Sequence, residues 1–184
     1  MKSDSQLIED AKSDKENFIH LYDKYFKQIY KYTLSRVRDE QIAEDITAET
    51  FMRALEKIDS YKDKGNPYSS FLYRVAINLI MDYHRDEKKQ KEFMSFNWEE
   101  VKDGRDEIAD QMSDQEQEET ELGQMERLKN ALENLKEKER NLISLKYFED
   151  LSYKEMAEVL DINVNHVGVQ LNRAMNRLSK LCNY

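Results

Sequence analysis

Proline occurs once in this chain, at Pro67, cysteine once, at Cys182, and glycine four times in 184 residues. Scarcity of the two strongest helix breakers, with no run alternating apolar and polar residues, predicts an almost entirely helical protein. A lone cysteine excludes an internal disulfide and suits a reducing cytoplasm. His20, His84 and His166 lie far apart with no second cysteine near any of them, so no metal site is expected. No apolar run approaches the ~18 residues of a membrane span, and positions 1–13 lack the apolar core of a secretory leader. There is no Gly-rich phosphate loop and no nucleophile–base grouping. The expectation is a protein with no catalytic residue and no cofactor.

What is abundant is negative charge, and it is local. Between Glu99 and Glu121 lie eleven acidic residues and two basic ones, Lys102 and Arg105, a sum of −11 + 2 = −9 that equals the formal charge of the whole protein. Everything outside that segment is neutral in total. A net negative chain is a poor candidate for binding duplex DNA tightly by itself, because phosphate neutralisation normally supplies that affinity. Flanking modules that are neutral or locally basic escape that argument. The expected organisation is two small all-α domains, 1–90 and 122–184, joined by an acidic linker over 91–121.

Ser3 with Gln6, and Ser13 with Glu16, have the spacing of capping boxes. The first opens a short helix carrying Leu7, Ile8 and Ala11. The second precedes a longer one whose Phe18, Leu21, Tyr22, Tyr25, Phe26, Ile29 and Tyr32 recur at three- and four-residue steps, the pattern of a core-facing stripe. Asp39 is placed to cap a helix over 40–58, apolar along Ile42, Ile46, Thr50, Ala54 and Ile58. Turn chemistry fills 60–67. A helix from Ser69 or Ser70 to about Lys89 follows and ends in a basic tip of His84, Arg85, Lys88, Lys89 and Lys91. Beyond the linker, Leu122, Met125, Leu128, Leu132 and Leu135 mark one amphipathic helix, and Leu142, Leu145 and Phe148 another.

The last segment reads as a helix-turn-helix. Ser152 and Glu155 form a third capping box opening a helix over 153–160, Asp161 to Asn163 make the turn, and a final helix runs from Val164 to about Leu181. Ala157 is small where two helices must cross. Asp161 occupies the position that needs a left-handed backbone, which Asp tolerates better than most residues. Val167 anchors the second helix. From Asn163 onward there are three basic residues, Arg173, Arg177 and Lys180, and no acidic one. Polar side chains there suit base edges in a major groove; a plain packing hairpin has the same pattern.

Three stretches shift that balance. Lys15-Glu-Asn-Phe-Ile-His-Leu-Tyr-Asp-Lys-Tyr25, Ile42-Ala-Glu-Asp-Ile-Thr-Ala-Glu-Thr-Phe-Met52 and Phe71-Leu-Tyr-Arg-Val-Ala-Ile-Asn-Leu-Ile-Met-Asp-Tyr-His-Arg85 resemble, in order and spacing, the promoter-melting domain of bacterial extracytoplasmic-function (ECF, group IV) sigma factors. The C-terminal helix-turn-helix resembles the second domain of that family. The likeness covers about three-quarters of the chain; the acidic linker matches only in position and acidity.

The resemblance implies a dissociable subunit that gives RNA polymerase core its promoter recognition and initiates transcription. It implies that Asp45, Ala48, Glu49 and Met52 dock on a coiled coil of the largest polymerase subunit, although Ala48 departs from the polar residue usual there. It implies that Tyr73, Arg74, Ile77, Asn78, Met81, Asp82 and Arg85 meet the −10 element as a separated strand, with the arginines on phosphates. A captured, stacked base returns ~1–3 kcal/mol against the cost of opening the duplex. Tyr73 and Ile77 also suit a helix core, Ile77 as well as it suits the strand. For the −35 element, read as duplex, it implies Asn165, His166, Gly168, Val169, Gln170, Asn172, Arg173 and Arg177. The family usually has Thr at 166, a basic residue at 168, Ser at 169 and Arg at 170, so −35 preference here departs from the norm. The linker is implied to thread toward the RNA exit path, with Phe93, Phe96 and Trp98 as anchors. A cognate anti-sigma factor is an implied partner, with no membrane insertion by this chain. The rival readings are a stand-alone helix-turn-helix transcriptional regulator and a module that only sequesters polymerase.

Overall fold

The structure is a computed structural model that describes residues 2–63, 65–99 and 121–182, with side chains described outside 90–99 and 121–122. Among the described residues there are eight α-helices, two short 3₁₀ segments and no strand: α1 (Asp4–Ser13), α2 (Ile19–Val37), α3 (Glu40–Glu56), α4 (Tyr68–Glu99), α5 (Glu121–Glu133), α6 (Glu137–Tyr147), α7 (Tyr153–Leu160) and α8 (Val164–Cys182). The acidic linker expected over 91–121 falls largely outside the described residues, as do the side chains of Phe93, Phe96 and Trp98.

The helix starts follow local chemistry. Ser3 and Gln6 form the expected capping box at α1, and Ser152 and Glu155 form the one at α7. The Asp39 carboxylate accepts from the Ile42 amide at 2.9 Å and opens α3. The second expected box is corrected. Ser13 is the last residue of α1 and its hydroxyl donates to the Glu9 carbonyl, while Asp14 caps the 3₁₀ turn Lys15–Phe18 by accepting from the Glu16 amide. Asp wins because a carboxylate caps at least as well as a hydroxyl, and it sits one residue closer to the turn. The helix expected from Ser69 or Ser70 begins at Tyr68, directly after Pro67, and the Tyr68 amide donates to the Asp4 carboxylate at 2.7 Å. The helix expected over 40–58 ends at Glu56 and passes into a 3₁₀ turn, Ile58–Ser60.

In the N-terminal domain α2, α3 and α4 pack on one another, with α1 against α2. Leu21, Ile29, Ile58, Leu72 and Tyr68 are fully buried there. Burial of each aliphatic side chain stabilises the fold by ~1.5–3 kcal/mol. Phe18, Tyr22 and Phe26 gather around Phe51, with Tyr22 and Phe51 ring centres 4.8 Å apart at an edge-on angle. In the C-terminal domain α8 packs on α5, α6 and α7 around Leu145, Met156, Val167 and Leu171. Three expected core residues, Met125, Leu128 and Phe148, lie outside it. Met125 and Phe148 are both about two-thirds exposed, at 68% and 67%. α5 leaves Met125 and Leu128 uncovered; Ala131 in its last turn and Leu135 just beyond its end are the buried residues there.

The domains also touch. α4 lies against α7, so the helix expected to meet the −10 strand is backed by the first helix of the helix-turn-helix.

Candidate nucleic-acid interface

The helix-turn-helix is built as its residues require. α7 ends on Asp161, whose backbone is left-handed (φ 54°, ψ 47°). The turn closes with the Ile162 amide donating to the Ala157 carbonyl at 3.0 Å. The side chain of Asn163 accepts from the Asn165 amide at 2.9 Å and starts α8. Val167, Leu171, Ala174 and Leu178 face inward at steps of four, three and four, all buried.

That inward face fixes what α8 presents to solvent. Asn165, His166, Val169, Asn172 and Arg173 are exposed. Gly168 is half-buried because the Tyr153 ring lies on it: a Cβ built at Gly168 would meet Tyr153 Cε2 at 3.3 Å. The glycine is therefore explained by an aromatic side chain of α7 resting against α8. Gln170 turns away from the exposed stripe and lines the cleft between the domains. Arg177 leans back, with Nη1 3.6 Å from a Glu139 carboxylate oxygen.

On α3, Asp45, Ala48 and Met52 are exposed on one face, Met52 at 59%. Glu49 shares that face and accepts from Arg53 Nε at 2.7 Å. Met52 thus lies on the same helix face as the Asp45 and Glu49 carboxylates.

The residues expected at the −10 strand divide into two groups. Asn78, Met81 and Arg85 are exposed and Asp82 is half-buried. Arg85 pairs with Asp82 one helical turn back, at 2.9 Å. Tyr73 and Ile77 are buried, and Arg74 is half-buried against the C-terminal domain. Tyr73 stands edge-on to Tyr32 of α2 at 5.1 Å, and its hydroxyl donates to the Glu149 carboxylate. Burial, the hydrogen bond to Glu149 and that carboxylate's charge all push the Tyr73 phenol far above its ordinary range. Burial likewise raises Glu149, against the lowering effect of the Tyr73 hydroxyl and Lys31. The Arg74 guanidinium donates to the Glu158 carbonyl, from Nε at 2.9 Å, and lies 3.6 Å from Asp161. In this conformation Tyr73, Arg74 and Ile77 are occupied by the protein itself.

Three further residues, Arg36, Arg38 and Asn66, hold the domains together, and sequence reasoning did not single them out. Arg36 of α2, its side chain 3% exposed, donates to Glu137 and, at 2.9 Å, to the Asn141 amide oxygen. Arg38 pairs with Glu133, and the Asn66 amide donates to Glu158. Arg36 carried one readable signal: it sits four residues after buried Tyr32 on the inward stripe of α2, where a charge requires a partner. Between the domains lies a cleft of about 440 Å³ lined by Arg74, Ile77, Asn78 and Met81 on one wall and by Lys138, Asn141, Leu160 and Gln170 on the other. No cluster of potential metal ligands occurs among the described residues, and no helix there is long and apolar enough to cross a membrane.

Comparison with known proteins agrees with this division. Residues 21–90 match Sigma-70 region 2, and residues 125–178 match Sigma-70, region 4. The chain is similar to the ECF RNA polymerase sigma factor SigM of Bacillus subtilis, 32% identical over 165 residues that cover 89% of this chain and 93% of SigM. It is 31% identical to SigW of the same organism, over 92% of this chain and 90% of SigW. It is 27% identical to the ECF RNA polymerase sigma factor BldN of Streptomyces coelicolor, where it covers 96% of itself but spans 64% of BldN. Among solved structures the fold resembles CnrH in complex with the cytosolic domain of CnrY, with a TM-score of 0.68 at 21% identity, covering 99% of this chain and 98% of that one.

Proposed function

Because this chain belongs to the ECF RNA polymerase sigma factors, we propose that it is a cytoplasmic, group IV member, without catalytic activity of its own, that gives RNA polymerase core its promoter recognition and strand opening. The observation that carries this reading is the presence, in one chain and in family order, of a region 2 helical unit and a region 4 helix-turn-helix whose turn residue is held left-handed.

Each proposed role has a physical basis. α3 offers Asp45, Glu49 and exposed Met52 to a basic coiled coil of core, with Ala48 between them. α8 enters the major groove of the −35 duplex through Asn165, His166, Val169 and Asn172, and Arg173 takes a phosphate. α4 meets the −10 strand through Asn78, Met81 and the arginines Arg74 and Arg85. Ile77 borders the same face, and the Tyr73 hydroxyl is released from Glu149 as the C-terminal domain moves off, its ring staying against Tyr32 of α2. Strand capture therefore requires the contacts from Arg36, Tyr73 and Arg74 to α6, α7 and the loop between them to open. The acidic segment 99–121 imitates a nucleic-acid backbone in the positive channel of core. A cognate anti-sigma factor is the expected restraint.

The test is run-off transcription with purified sigma-free core and a library of promoter fragments. Transcripts with defined start points are expected only when the chain is added. No initiation at any defined position would overturn the proposal. A footprint on duplex promoter DNA without polymerase would favour the stand-alone regulator.

A further inference from the structure

Resting on the −35 reading above, we infer that α8 recognises its element through amides and a methyl contact, with Val169 reading the 5-methyl group of a thymine at the centre of an A·T-rich site. The argument starts from helical geometry. Residues 165, 169, 172 and 176 fall on one line of an α-helix, directly opposite the buried stripe of Val167, Leu171 and Ala174. Here that line is Asn165, Val169, Asn172 and Asn176, all exposed and none charged. Arg173 and His166 stand on one flank; Gly168, covered by the Tyr153 ring, stands on the other.

Base-edge chemistry assigns each of these residues. Asparagine is the side chain whose paired donor and acceptor match adenine, and a compact apolar group matches the thymine methyl. Asn176 Nδ2 donates to Asn172 Oδ1 at 3.1 Å, so those amides are held together before DNA arrives. Val169 is 53% exposed, on a helix whose inner face is already filled by other residues. Nothing in the fold asks for a β-branched apolar residue there, and valine has a lower helix propensity than Lys, Arg, Gln or Glu. Its place at the middle of the outward line is accounted for by an apolar partner in the groove. The Tyr153 ring rests on Gly168, the residue before Val169, with Lys146 Nζ 6.0 Å from the ring centre, and so bounds the outward line on that flank.

The experiment uses the full chain with core polymerase. A library randomised at the −35 element is selected for binding by this holoenzyme, and each thymine of the selected element is then replaced by deoxyuridine, which removes only the methyl. One central thymine is expected to lose about fourfold in affinity, the worth of one buried carbon. Val169→Ser holoenzyme is expected to bind the thymine and deoxyuridine forms equally, with its thermal melt unchanged because the residue is exposed. The inference is overturned if every thymine tolerates the replacement, if Val169→Ser keeps the same methyl penalty, or if the selected centre is G·C. Absence of any selected −35 sequence would instead remove the reading on which it rests.

Discussion

Arg36 offers the sharpest test of how the two domains are held. Its guanidinium is almost wholly buried between α2 and α6, while Glu137 is 27% exposed and Asn141 2%. Removing one member of a fully buried ion pair costs ~3–5 kcal/mol. Glu137 is open enough to regain some water and has Arg140 at 3.7 Å, so the carboxylate recovers part of that. The Asn141 oxygen, deprived of its donor, adds ~1–3 kcal/mol if the domains stay closed. Opening the interface hydrates both groups. Arg36→Ala should therefore shift the closed–open balance by roughly 2–3 kcal/mol, a 30- to 150-fold change, taking 1.4 kcal/mol per factor of ten. Small-angle scattering should report a compact particle for the wild type and an extended population for the variant. Calorimetry should show one melting transition splitting into two. An unaltered scattering profile with a single unshifted transition would refute the claim that Arg36 clamps the domains.

Three other perturbations follow from individual residues. Burial raises the Asp4 carboxyl, but hydrogen bonds from Lys24, Tyr25 and the Tyr68 amide outweigh it and hold the group below its ordinary value. Its stabilising effect is thus present above the unfolded carboxylate pKa and lost as pH falls through the lower folded one. Acid unfolding of Asp4→Asn should show a shallower limb below about pH 4, and an identical limb would discount the site. Asp161→Val should destabilise by ~1–2 kcal/mol, because a β-branched residue fits a left-handed backbone poorly, whereas Asp161→Gly should be neutral or stabilising; equal melts for both would contradict the turn geometry. Arg173→Ala should weaken −35 binding and reduce its salt slope by about one phosphate's worth; an unchanged slope would take Arg173 off the DNA.

Much of the local architecture is legible from the sequence because it is set by nearest-neighbour chemistry. Ser3, Asp39 and Ser152 cap helices with short polar side chains, and Asp161 takes the left-handed turn without help from distant residues. The spacing of Leu21, Ile29 and Val167 orients their helices for the same reason. Legibility fails where a residue's surroundings come from another domain. Phe148 follows the apolar spacing of α6 yet is exposed, because no helix among the described residues closes over it. Tyr73, whose spacing suits a helix core as well as a strand contact, is buried because Tyr32 of α2 and Glu149 of the loop before α7 converge on it. Gly168 stands where the family usually has a basic residue; the ring that rests on it belongs to Tyr153, fifteen positions earlier.

The central claim is that this chain lets polymerase open a promoter by holding the −10 strand on α4. Permanganate mapping of thymines on a responsive promoter, with core alone, with core plus the chain, and with core plus Asn78→Ala, tests it directly. Reactive −10 thymines should appear only with the wild-type chain and fade with the variant, while the variant still co-purifies with core. Reactivity that is independent of the chain, or that Asn78→Ala leaves at full strength, would contradict the account.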